Sequence, residues 1–136
     1  MTKMISISLP VVDIKASKAF YEALGFTSNA AFTGNSAACM VWSEAIVVML
    51  LTHEMWKTRT TRPIPLPTHS EVALGLTLDS RAAVDAMIAA AVAHGGIADV
   101  NPVEDLDGIY SRDFADPDGH VWGAMWMDAA APPTSG

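Results

Sequence analysis

The sequence holds a single cysteine, Cys39, among its 136 residues, which excludes an intrachain disulfide and any cysteine-cluster metal site. Long apolar runs are missing as well. The longest aliphatic stretch, Ile46-Val47-Val48-Met49-Leu50-Leu51, falls far short of the ~20 residues that a bilayer span needs. Positive charge is scarce, with 8 Lys and Arg against 15 Asp and Glu, for a formal net charge of -7. The scarcity is uneven: residues 1–69 carry +2 and residues 70–136 carry -9. The second half would repel a phosphate backbone, and no basic stripe interleaved with aromatics runs along either half, which argues against nucleic-acid binding. Charged residues make up only 17% of the chain and hydrophobic ones 51%, so disorder is not the expectation either. No apolar segment follows Met1-Thr2-Lys3-Met4 to read as a signal peptide, and the expectation is a cytoplasmic protein without a membrane partner.

What is present is periodicity of two kinds, in a repeating order. Ile5, Ile7, Leu9 and Val11 alternate with Ser6, Ser8 and Pro10, the pattern of a half-buried strand. Asp13 suits a helix N-cap, Ala16, Ala19, Phe20 and Leu24 recur at helical spacing, and Gly25 suits the residue after the helix. Strands are then expected over 26–33, 37–43 and 46–52, with Gly34-Asn35 as turn chemistry. The order recurs. Val72, Leu74, Leu76 and Leu78 alternate with Ala73, Gly75 and Thr77, and Asp79-Ser80 supplies a cap. A helix over 81–94 ends at Gly95-Gly96, and strands near 97–101, 109–115 and 120–127 follow, with Asp116-Pro117-Asp118-Gly119 as the last turn.

Laying Ile5, Ile7 and Leu9 over Val72, Leu74 and Leu76 gives an internal offset of 67 residues, a β-α-β-β-β unit written twice. The expected fold is α+β: two tandem βαβββ modules forming a curved, cup-like mixed sheet with the helices on its outer face. One domain spans 1–128, with module one about 4–57, a connector about 53–70 and module two about 71–128. The tail 129–136 has nothing to bury and is expected to be disordered. Alternation sets Ile5, Ile7 and Leu9 under the first helix and leaves Ser6 and Ser8 on the inner wall of the cup, the natural ligand site.

The stretch from Leu9 through Asp13, Phe20-Tyr21 and Leu24-Gly25-Phe26, taken with Phe114-Ala115-Asp116-Pro117-Asp118-Gly119-His120-Val121-Trp122, resembles the vicinal oxygen chelate superfamily. That superfamily contains glyoxalase I, extradiol dioxygenases, fosfomycin-resistance enzymes and bleomycin-resistance proteins. The resemblance covers residues 4–128 and agrees with the doubled pattern. It implies that catalytic members hold one divalent metal in the cup through His, Glu or Gln on the first and last strands of each module. Carried over position by position, those places fall on Ser6, Ala73 and Gly123, none of which is a good ligand. The resemblance therefore implies a cup with no metal cofactor; the alternative is a divalent metal held by Glu71, His53 and His69. His94 is read as a helix-end residue, and His120 as facing away from the cup.

The expected function is binding of a small, planar or cationic molecule, in the manner of bleomycin-resistance proteins, with catalysis left open. The alternative is a metal-dependent lyase, transferase or dioxygenase. The candidate binding residues are Ser6, Ser8, Trp42, Trp56, Tyr110, Arg112, Gly123 and Met125. Trp42 and Trp56 supply aromatic walls, and Gly123 frees volume on the cup floor. Tyr110 and Arg112 share a strand face that suits an anionic group, unless Arg112 pairs with nearby acids. The Lys57, Arg59, Arg62 cluster reads as a solvated loop, with attraction of a small anion as the alternative. Cys39 reads as a small core residue rather than a nucleophile. A homodimer is implied by the resemblance.

Overall fold

The computed structural model describes residues 3–128; the expectation for the 129–136 tail lies outside the described residues. Strand β1 (Ile5–Val11) leads into helix α1 (Ile14–Leu24), where the Asp13 side chain accepts a hydrogen bond from the backbone N–H of Ala16. Gly25 ends the helix at a φ of 113°, a left-handed conformation that a side chain would resist. Strands β2 (Thr27–Ser28), β3 (Ala37–Ser43) and β4 (Ile46–Thr52) follow, and β4 pairs in parallel with β1. Helix α2 (His53–Arg59) opens the connector. The second unit runs β5 (Leu74–Thr77), α3 (Arg81–Ala93), β6 (Ile97–Ala98), β7 (Glu104–Leu106), β8 (Ile109–Ala115) and β9 (Val121–Met127). The sheets are ordered β1-β4-β3-β2 and β5-β9-β8-β6, with β7 paired to β8. The helix N-caps Asp13 and Ser80 stand 67 residues apart, the offset that the sequence repeat expects.

Two local departures have identifiable causes. The strand expected over 26–33 shrinks to two residues because the Asn29 side chain accepts from the N–H of Ala31 and the Thr33 hydroxyl donates to the Asn29 carbonyl. Those local bonds turn the backbone into a 3-10 helix over Ala30–Phe32. Helix α2 stands where the Thr- and Pro-rich connector suggests a loop; Thr52 caps it, and Lys57 and Arg59 complement the dipole at its last turn. Strand β7 carries no apolar alternation and is exposed throughout. Finally, among the described residues no hydrogen-bonded ladder joins the two sheets.

Register assigns the faces. Leu9, Leu50 and Ala38 are cross-strand partners on the buried, helix-covered face, and Ser8, Met49 and Cys39 form a row on the opposite face. In the second sheet Trp122 pairs with Leu74 and Phe114 toward the helices, while Gly75, Gly123 and Asp113 share the other side. The core runs through both units. Phe20 and Tyr21 of α1 meet Phe114 and Trp122 at ring-centroid distances of 6.2 and 5.9 Å, and Phe26 lies 5.9 Å from Trp122. Each such ring taken fully out of water contributes roughly 1.5–3 kcal/mol.

A polar clasp holds the same boundary. The Tyr21 hydroxyl donates to Asp116 Oδ2 at 2.5 Å, and Trp122 Nε1 donates to the Tyr21 oxygen at 3.0 Å. Asp116 Oδ1 accepts the N–H groups of Asp118 and His120, both at 2.9 Å. Asp118 in turn accepts from the Val12 N–H and the Ser17 hydroxyl, and His120 Nε2 donates to the Pro10 carbonyl at 2.7 Å. The two sequence segments that carry the family resemblance are thus the two halves of one contact. Asp116 is only 2% exposed, so its carboxylate is tolerable because its oxygens are satisfied. Burial still pushes its pKa above the usual carboxylate range, with the His120 charge opposing. Burial, and then the Asp116 charge, push the Tyr21 hydroxyl well up.

Replacing Tyr21→Phe leaves Asp116 Oδ2 and Trp122 Nε1 without their partner inside the core; urea denaturation should show a loss of about 1–3 kcal/mol with the slope unchanged. The sign of the pH effect follows from the raised Asp116 pKa. Its contribution to stability is complete below the unfolded value, about 3.9, and is lost as pH rises through the higher folded value. Asp116→Asn should flatten the stability profile across that window, measured by denaturation midpoints from acid to neutral pH.

Candidate functional site

A cavity of about 800 Å³ opens between the end of β1, helix α2, the connector and the starts of β5 and β9. Its apolar walls come from Pro10 and Leu51 of the first sheet, Trp56 of α2, and Leu74 and Val121 of the second. Ser8 supplies a hydroxyl, and Arg59, Arg62 and His69 supply nitrogen donors. His120, expected to face away from the cup, stands on the wall instead, with its Nε2 given to the Pro10 carbonyl. Glu71 is the one carboxylate on the wall among the described residues. The connector stays in place because Gly119 has no side chain. Gly119 sits at a φ of 88°, and a Cβ there would run into the backbone of Pro67. The clasp hairpin thereby seats the connector, and the connector completes the cavity.

The structure brings together Ser8 and Trp56 from the sequence-derived binding set, and Glu71 and His69 from the metal alternative. Ser6 is exposed on the same face as Ser8 but outside the cavity. Trp42 points the other way. Its ring packs 5.0 Å from Phe26 and lies against Gly25, beside α1 rather than on the open face. Tyr110 and Arg112 also face the helices. Arg112 donates to Asp99 (3.0 and 2.8 Å) and to Asp85 (2.9 Å), and the Tyr110 hydroxyl donates to Asp85 at 2.6 Å. These hydrogen bonds hold the carboxyls of Asp85 and Asp99 below their usual range, and raise the Arg112 guanidinium further.

Gly123 and Met125 lie on the open face of the second sheet, away from the cavity, opposite Gly75 and Thr77 in register. The volume that Gly123 was expected to free is occupied. The Asp113 carboxylate, held by Asn101 Nδ2 at 2.8 Å, lies 2.8 Å from where a Cβ on Gly123 would stand. His53 lies at the start of α2, outside the cavity. Cys39 is 6% exposed, and burial pushes its thiol pKa up, the opposite of what an attacking thiolate needs. Sequence reasoning left Arg59 and Arg62 out of the binding set because a Thr- and Pro-rich setting suggests a solvated loop. The helical run from His53 to Arg59 brings Arg59 to the wall, and Arg62 reaches it from beyond the helix.

The donor set does not fit a divalent metal. Ser6, Ala73 and Gly123 offer no ligand worth the name to such an ion, and among the described residues no three His, Cys, Asp or Glu side chains converge. Of the rewired set, Glu71 and His69 share the cavity and His53 does not.

A sequence model of the glyoxalase/bleomycin resistance protein/dioxygenase superfamily matches residues 3–123. The chain belongs to that superfamily. No curated protein matches it. Among solved structures, a hypothetical protein from S. aureus is similar at 23% identity and a TM-score of 0.78, covering 93% of this chain and 94% of that one. A glyoxalase-related enzyme from Fulvimarina pelagi is similar at 20% identity and a TM-score of 0.76, covering 99% and 94%. A glyoxalase/bleomycin resistance protein/dioxygenase family enzyme from Burkholderia phytofirmans PsJN is similar at 17% identity and a TM-score of 0.74, covering 93% and 99%. At these identities the likeness concerns the fold. No helix among the described residues is long and apolar enough to cross a membrane.

Gly119→Ala combines a left-handed backbone with a clash against Pro67 and should cost about 2 kcal/mol or more. Gly75→Ala, with nothing within 4 Å of the added carbon, should stay within about 0.5 kcal/mol of the parent in the same thermal-unfolding series.

Proposed function

We propose that this superfamily member binds a small organic molecule in the cavity between β1, α2, the connector and β9, and that it does so without a divalent metal. The observation that carries the reading is the composition of that wall. A planar or chain-like apolar body fits against Trp56, Leu51 and Leu74, while a few convergent polar groups at Ser8, His69 and Arg62 orient it. The missing metal ligands support binding over metal-assisted chemistry, since a Lewis-acid site needs several converging donors.

Trp56 makes the reading measurable. Its indole Nε1 is buried with no hydrogen-bond partner among the described residues, so its emission responds to a molecule settling beside it. A titration of chelator-dialysed protein with planar aromatic compounds should give saturable changes in tryptophan emission that Trp56→Phe abolishes and added EDTA leaves intact. Binding that appears only after Zn, Mn, Ni or Fe is restored, together with near-stoichiometric metal by elemental analysis, would contradict the proposal and favour a metal-dependent enzyme with unconventional ligands.

A further inference from the structure

We infer that the ligand of this cavity is an organic oxyanion, a carboxylate or phosphate ester on an apolar body, held by Arg59 and Arg62; the inference rests on the binding role proposed for the site. The chain is strongly acidic, and its other well-placed cations are consumed by that acidity. Arg112 pairs with Asp85 and Asp99, Arg81 with Asp105, and Lys18 with Glu22. Arg59 and Arg62 make no ion pair among the described residues, and both stand on the cavity wall. The position of Arg59 has a local reason, because it closes the last turn of α2 where a cation suits the helix dipole. Arg62 lies beyond the helix and has no such reason.

The acids that give residues 70–136 their charge do not reach the cavity in number. Asp116 and Asp118 are spent in the clasp, Asp85, Asp99 and Asp105 in ion pairs, and Glu71 alone stands on the wall. A cationic ligand, which the overall charge favours, would face two guanidinium groups and a single carboxylate. An oxyanion would face donors with fork geometry that suits it. Arg59 and Arg62 are exposed whereas Leu51 is buried and Trp56 half-buried, so the head group sits at the solvent side and the apolar body runs inward. The exposed guanidinium groups stay hydrated until a ligand arrives, and no buried charge has to be tolerated in its absence.

The test uses the full chain, isothermal titration calorimetry and four probes with one body: 2-naphthoate, 2-naphthyl phosphate, the neutral 2-naphthamide and 2-naphthylmethylammonium. The oxyanions should bind at least about tenfold tighter than the amide at low salt, with the advantage shrinking at high ionic strength. The relative affinity of carboxylate and phosphate decides which head group the site prefers. Arg59→Gln and Arg62→Gln should each remove about threefold or more of that advantage. Lys57→Gln changes the net charge equally but lies off the wall, and should leave affinity within about twofold. Equal affinity for amide and oxyanions, tightest binding of the ammonium probe, or an equal loss in Lys57→Gln would overturn the oxyanion assignment while leaving the binding site intact. Absence of binding by all four probes would overturn both.

Discussion

The hydrogen bond from Tyr21 to the buried carboxylate of Asp116 is the constraint on which the rest of the molecule depends. It joins a helix of the first unit to the last hairpin of the second, across a boundary that no strand pairing bridges among the described residues. Hydrophobic packing of Phe20, Phe114 and Trp122 supplies most of the attraction there, but packing alone does not fix orientation. The carboxylate does, because a buried charge is tolerable only while each of its bonds is made. Turn geometry is fixed by the same group, through the N–H bonds from Asp118 and His120.

The connector inherits its position from that hairpin, since Gly119 receives the Pro67 backbone. Helix α2 is placed by the first sheet, following β4 directly and packing on it, and brings Trp56 and Arg59 to the wall that Ser8 and Pro10 share. His120 ties the turn back to Pro10, so the strand that lines the cavity and the hairpin that seats the connector are held by one contact. The cavity is therefore a consequence of how two duplicated units meet, with the unduplicated connector completing it. That division explains why the cavity departs from the symmetric cup that duplication alone would suggest.

The duplicated units were legible because alternation and helical spacing are strong signals in Ile5–Val11, Val72–Leu78 and the two helices, and the caps Asp13 and Ser80 keep the same offset. The separation of the sheets was not legible, since pairing between edges depends on docking rather than on local pattern. In the site, Ser8 and Trp56 could be read from face and residue type. Trp42 lies on the helix-covered face of Ala38 and Met40 by plain alternation, so residue type pointed to the cup wall where face did not. Tyr110 and Arg112 were correctly placed on one strand face, but that face is the helix-covered one, where Asp85 arrives from α3. Gly123 reads as empty space in a sequence, and only the tertiary structure shows Asp113 filling it.

Among the described residues, no group of three His, Cys, Asp or Glu side chains gathers as the family's metal chemistry needs, and the cavity wall carries an indole, aliphatic side chains and two guanidinium groups that make no ion pair among those residues. The most direct test of this account is a chemical-shift map of chelator-stripped, isotope-labelled protein titrated with 2-naphthoate. Perturbations are expected at the Trp56 indole, Ser8 and His69, with the indoles of Trp42 and Trp122 unmoved. Shifts centred on Ser6 and Gly123, appearing only once a divalent metal is supplied, would contradict it.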